Sequence, residues 1–361
     1  MAEPRPSLST LLASESLSSL ILSNPIFLVT DLASLALVCK EFQLASTPFL
    51  YSRIVVQSQT AALKILNTLT HRPDYGPFVN VLHFSAYRNQ PRYHYTVARE
   101  VSTRFTNVFP LLRNLEYLIL ADIWGFSAMI FQHSETILCK LKFCRLNGIV
   151  FSSKERIHEF GQFLAKQDEL KLLRLQVDGL PENLYDPQML QQDQTVDSDI
   201  FHLPVHSLPS LSIFDGSAFA ATKVLQARAP LLKLRVHTAL ELDKVFTKED
   251  DPASEWFAVL DVRVLCAALS RSGTGKTLKT FSVLGCPGDE DLLQMRNAKK
   301  NIGDPCAELI QTLAIYYPKL CHVGVLPLSC KDVGLLAYAG ISLSLLKLTH
   351  CSPSAPLSMK L

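Results

Sequence analysis

Residues 170–175 read Leu170-Lys171-Leu172-Leu173-Arg174-Leu175, with apolar side chains at 170, 173 and 175 and cationic ones at 171 and 174. Alternate residues of a strand point to opposite faces, so Leu173 and Leu175 share one face and Leu172 and Arg174 the other. The L-x-x-L-x-L spacing recurs along the chain. It appears as Val79-Leu82-Phe84, Leu115-Leu118-Leu120, Leu138-Leu141-Phe143, Leu208-Leu211-Ile213, Leu231-Leu234-Val236, Leu278-Phe281-Val283, Leu320-Val323-Val325 and Leu343-Leu346-Leu348. A chain this apolar would yield on the order of ten such triplets by chance. Their placement therefore carries the argument, not their number.

Helical signals fill many of the gaps. Ser152-x-x-Glu155 has the form of a capping box, and Ile157, Phe160 and Leu164 follow at helical spacing. Ser254 precedes Phe257, Leu260 and Val264, and Gly273 stands where a C-cap belongs. Asp304-Pro305 offers a cap and a first-turn proline to a helix carrying Leu309, Leu313 and Tyr316. Ser329-x-x-Asp332 opens a shorter helix ending near Gly340. Pro230 and Pro318 stand just ahead of two of the strands.

Strand–helix alternation at this period is similar to that of leucine-rich repeats, which often place a cysteine after the strand, as Cys286 and Cys351 stand here. The resemblance implies an α/β fold: a curved parallel sheet with outer helices, each unit contacting only its neighbours. A compact α/β domain with a buried parallel sheet would show the same patterning. A long polar connection runs from about 181 to 206 and carries acidic residues from Asp193 to Asp199.

Ahead of the repeats, residues 31–44 place Leu32, Leu35, Ala36, Val38, Cys39, Phe42 and Leu44 at spacings of three and four. That period predicts one helix with a broad apolar stripe, capped by Thr30 or Asp31. Pro48 is expected to stop it, and Phe49-Leu50-Tyr51 leads into the β-prone Ile54-Val55-Val56. The run Leu35-Ala36-Leu37-Val38-Cys39-Lys40-Glu41-Phe42, then a proline, a Leu-Tyr pair and a strand, resembles the second half of an F-box, as in fungal F-box proteins carrying leucine-rich repeats. The resemblance covers residues 31–56.

It implies a substrate-recognition subunit of a cullin-type ubiquitin ligase. Leu32, Leu35, Val38, Cys39, Phe42 and Leu50 would contact the ligase adaptor or support the contact. Residues 8–28 lack the Leu-Pro that usually opens the module, so a leucine-rich interaction scaffold outside any ligase also fits. The expected organisation is a tail over 1–7, the F-box-like module over 8–52, the solenoid over 53–351 and a tail over 352–361.

Composition bounds the function classes. The chain of 361 residues is 48% hydrophobic and 19% charged, enough to bury a large core, and its net charge of +2 gives no field for nucleic acid or membrane. Nine cysteines, an odd number without a C-x-x-C pair, several inside apolar runs, point to buried thiols in a reducing cytoplasmic or nuclear compartment. The ten histidines show no metal-ligand spacing. Residues 17–38 are apolar, but Asn24-Pro25 and Asp31 interrupt them, which favours two short helices over a membrane span. No triad, metal cluster or cofactor loop argues for an enzyme, and no cofactor is expected.

Ser272-Gly273-Thr274-Gly275-Lys276-Thr277 looks like a phosphate-binding loop. Ser270 stands where that motif needs its first glycine, and the order here is helix then strand, the reverse of what phosphate binding requires. A nucleotide hydrolase built around Lys276 would have to bind ATP with magnesium.

The residues two and four places after each triplet start share the face opposite the core. Lys140, Lys142, Arg174, Lys233, Arg235 and Lys347 fall there, with His83 and His322, and no Asp or Glu does. An acidic or phosphorylated protein segment is the ligand this face implies.

Overall fold

The computed structural model describes residue 22 and residues 28–85, 95–121, 126–151, 153–179, 203–238, 252–284 and 305–324. The triplet at Leu343-Leu346-Leu348, Lys347, the helix after Ser329, most of the 181–206 connection and Cys286 and Cys351 lie outside them. Two compact units divide the chain, Met1–Phe163 and Leu164–Leu361.

Among the described residues from 28 on, the first unit runs α1 (Val29–Ala36), α2 (Lys40–Ser52), β1 (Arg53–Val56), α3 (Gln59–His71), β2 (Val81–Ser85), α4 (Tyr95–Val108), β3 (Tyr117–Ala121), β4 (Phe126–Ser127) and β5 (Phe143–Val150). Helix α5 (Lys154–Ala165) follows and crosses the boundary. Strands β1, β2, β3 and β5 pair in that order, all parallel. Ser58 caps α3, its hydroxyl accepting from the Ala61 amide at 3.2 Å. Leu82, Phe84, Leu118, Leu120, Cys144 and Leu146 are buried on one sheet face, together with Leu66 and Leu69 of α3 and Phe105 of α4. Burial pushes the thiol of Cys139 up to about 12 and that of Cys144 higher still, so both act as small apolar side chains.

In the second unit β6 (Leu172–Gly179), β7 (Ile213–Ser217), β8 (Lys233–His237), β9 (Thr280–Leu284) and β10 (His322–Gly324) pair in sequence order, again all parallel. Helices α6 (Ala218–Gln226), α7 (Pro252–Ser272) and α8 (Pro305–Tyr316) connect them. Pro305 opens α8 as expected, and Gly273 ends α7 with φ +71°, a conformation that suits glycine. Helix α7 begins at Pro252, ahead of the Ser254 start that the sequence suggested. The α/β class with parallel strands and connecting helices is thus present in both units.

The strand entries repeat one hydrogen-bond device. The Asn80 carbonyl accepts from the amides of Glu116 and Tyr117, and the Glu116 carbonyl from those of Lys142 and Phe143. In the second unit the carbonyls of Lys171, Ser212, Leu232 and Lys279 each accept in the same way from the next strand entry. The residue just ahead of each accepting carbonyl is buried apolar: Val79, Leu115, Leu170, Leu211, Leu231 and Leu278.

Two sequence triplets were out of register by three residues. Leu138 is exposed, and the buried set is Leu141-Cys144-Leu146 in place of Leu138-Leu141-Phe143. Likewise Leu211-Phe214-Gly216 replaces Leu208-Leu211-Ile213. Cysteine and glycine stand where the pattern demands a large apolar residue. At Gly216 nothing else fits, because a Cβ there would lie 2.3 Å from the Leu175 carbonyl oxygen.

Candidate functional site

The predicted single helix over 31–44 is two helices. The amides of Leu37 and Val38 reach back only three residues, to the carbonyls of Ser34 and Leu35, so the last turn tightens and ends. Cys39 is extended and starts α2. Glu41 sits in the first turn of α2, where its carboxyl is held below the ordinary value by backbone hydrogen bonding and a hydrogen bond with Cys39. Helix α1 starts at Val29, and the Asp31 carboxylate accepts from the Leu28 amide at 2.9 Å.

Pro48 does not stop α2, which runs to Ser52. Proline removes one helical donor, and in the turn before it two hydroxyls bond back to helix carbonyls. Ser46 donates to the Phe42 carbonyl at 2.7 Å and Thr47 to that of Gln43 at 2.6 Å. Beyond the proline, Tyr51 packs on Tyr75 with ring centroids 4.6 Å apart.

The break leaves apolar side chains in solvent. Leu37 is 87% exposed and Val38 66%, and Leu28, Val29 and Leu44 are exposed to a similar degree. Five of the twelve large apolar side chains that stand exposed among the described residues thus fall within 28–44. Single exposed leucines are ordinary, but their concentration here makes these helices the candidate docking surface. Of the residues the resemblance pointed to, Val38 and Cys39 are exposed, Leu35, Phe42 and Leu50 half-buried, and Leu32 buried. Leu28, Val29, Leu37 and Leu44 were not among them.

The open sheet faces differ from the expected all-basic stripe. Lys140 and Lys142 precede β5 instead of lying on it, and Lys142 Nζ is 2.6 Å from Glu116 Oε1. The corrected register puts Phe143 and Arg145 on that face. Two cross-strand rows result: Arg53, Val81, Tyr117 and Phe143, then Val55, His83, Ile119 and Arg145.

In the second unit Arg174, Lys233 and Arg235 do stand on the open face, and the same register correction brings in Asp215, directly between Arg174 and Arg235. Arg174 Nε lies 3.0 Å from Asp215 Oδ2 but off the hydrogen-bonding angle, so the contact is an ion pair. His237 Nε2 is 2.7 Å from Asp215 Oδ1. An ionised carboxylate only accepts, so Nε2 carries the hydrogen.

Burial alone would raise the Asp215 carboxyl. The His237 hydrogen bond and the charges of Arg174, His237 and Arg235 outweigh it and hold the group below its ordinary 3.8. A depressed carboxyl stabilises the fold at pH above the unfolded value, and that contribution fades as pH falls through the folded one. Asp215→Asn should therefore lower stability more at pH 7 than at an acid pH below the ordinary 3.8. Urea midpoints at the two pH values test this, and an equal loss at both would mean the charge is irrelevant.

The phosphate-loop look-alike is a structural junction. Helix α7 ends at Ser272 and β9 starts at Thr280, with exposed Lys276 in between. The Tyr317 hydroxyl, buried here, donates to the Leu269 carbonyl at 2.8 Å and lies 2.9 Å from Ser272 Oγ and 3.1 Å from Thr274 Oγ1. Among the described residues no helix is long and apolar enough to cross a membrane. No family model matches the chain, and neither does any curated protein sequence.

Proposed function

We propose that this chain is a non-enzymatic substrate receptor of a cullin-type ubiquitin ligase, with α1 and α2 forming an F-box-like adaptor-docking module. The concentration of exposed apolar side chains on these helices, Leu37 and Val38 above all, carries the reading. The repeated strand-entry hydrogen bonds and the parallel strands favour a degenerate leucine-rich solenoid behind the module. That region would hold a target protein, its acidic or phosphorylated segments facing Lys233 and Arg235, while other subunits transfer ubiquitin.

Full-length protein co-expressed with the ligase adaptor should capture it. The double substitution Leu37→Asp with Val38→Asp should lower capture at least tenfold and leave the circular dichroism unchanged, since both side chains are in solvent. Capture by neither form would refute the docking, and equal capture by both would place it elsewhere.

A further inference from the structure

The segments that enter β7, β8, β9 and β10 lie side by side along one edge of the second unit's sheet, because those strands are parallel and pair in that order. Backbone contacts tie the segments together. The Leu232 amide donates to the Ser212 carbonyl, that of Lys279 to Leu232 and that of Cys321 to Lys279, while the His206 amide donates to the Ala227 carbonyl at the end of α6. Every large apolar side chain that stands exposed among the described residues of the second unit is on this edge: Val205, Leu232, Ile315 and Tyr316, with Ile315 61% exposed.

The same edge is cationic. Arg228, Arg271, Lys276, Lys279 and Lys319 are all exposed, and none of them is in an ion pair among the described residues. Residues 203–212, 226–233, 271–280 and 316–322 hold no Asp or Glu. Arg271 suits the C-terminal turn of α7, but Lys276, Lys279 and Lys319 stand three or more residues past a helix end, beyond the reach of the helix dipole. The net charge of +2 for the whole chain conceals this edge.

We infer that the strand-entry edge of the second unit docks peripherally on an anionic phospholipid surface. Four strands about 4.8 Å apart spread the segments over about 14 Å, so several cations meet one lipid surface at once. Valine, leucine, isoleucine and tyrosine side chains enter the boundary between headgroups and acyl chains, while long cationic stems keep their charges at the phosphates. A surface of one sign suits a uniformly anionic sheet of lipids, and each lysine or arginine near such a surface adds to the attraction. Protein interfaces fix their register by matching charge patterns across the contact, and this edge has no acid with which to form such a pattern. Aliphatic Val205, Leu232 and Ile315 cannot stack on nucleobases, which disfavours single-stranded nucleic acid. The contact is interfacial and needs no membrane-spanning helix. It rests on this edge alone and not on adaptor docking.

The test is flotation of full-length protein with vesicles of phosphatidylcholine alone or with about 30% phosphatidylserine. The anionic vesicles should bind at least tenfold tighter. The triple variant Lys276→Glu, Lys279→Glu, Lys319→Glu should lose at least tenfold in binding. The pair Ile315→Ser, Tyr316→Ser should lose about fivefold or more with every charge retained. All of these side chains are exposed, so circular dichroism should be unchanged in both variants. No binding, equal binding to the two vesicle types, or full binding by either variant would overturn the inference. So would complete displacement from the vesicles by an equal charge of polyglutamate or of oligothymidine, which would point to an acidic protein or to nucleic acid. No adaptor is present, so failure here leaves the ligase reading standing, and failed adaptor capture leaves this one standing.

Discussion

Phe131→Ala should cost about 3–5 kcal/mol of stability, the range for removing a large buried aromatic. Phe131 is fully buried in the first unit, its ring centroid 4.7 Å from that of Phe160, 4.8 Å from Phe163 and 6.0 Å from Phe109. Phe109 in turn lies 5.1 Å from Phe105 and 5.6 Å from Phe163. These rings come from the α4 region, the turn after β4 and α5, so one truncation loosens three segments at once. Tilted aromatic pairs add about 0.5–1.5 kcal/mol each beyond the area they bury. Phe131→Leu keeps most of the volume and should cost less than half as much. Urea denaturation followed by circular dichroism gives both values. A loss under about 1 kcal/mol for the alanine variant would mean that this cluster does not hold the unit together.

Gly275→Ala should destabilise the second unit by at least about 1–3 kcal/mol, the usual cost of overpacking. An added Cβ would lie 1.9 Å from the Tyr316 carbonyl oxygen and 3.1 Å from its carbon. Both are backbone atoms, so α8 or the loop must shift, and the buried Ser272–Thr274–Tyr317 hydroxyl cluster shifts with it. Lys276→Ala, one residue on and exposed, should stay within about 0.5 kcal/mol of the parent. A nucleotide-binding loop would differ at Lys276, where Lys276→Ala would abolish ATP binding. Thermal unfolding with and without ATP and magnesium separates the two.

The fold was legible wherever each strand carried three large apolar residues. Leu170-Leu173-Leu175, Leu231-Leu234-Val236 and Leu278-Phe281-Val283 are all buried. It was misread where geometry selected an unexpected residue. Gly216 fills a buried position because the Leu175 carbonyl leaves no room for a side chain, and a spacing rule that seeks leucine slides to the wrong frame. Lys140 and Lys142 entered the basic face through such a slip, and Asp215 and Phe143 were left out of the faces they occupy.

The N-terminal module shows a different limit. Apolar residues at spacings of three and four are compatible with one helix or with two short ones sharing a stripe. Helix α2 continues through Pro48 to Ser52, which propensity alone does not anticipate. The side chains exposed by the break are the best candidates for partner contact, and a stripe read as continuous assigns them no special role.

Adaptor capture tests the central claim most directly. Full-length protein and the adaptor of cullin-type ligases, co-expressed and passed over size exclusion, should elute as one complex of equal stoichiometry. The Leu37→Asp, Val38→Asp form should elute apart from the adaptor while remaining folded. Separate elution of the parent chain would contradict the account.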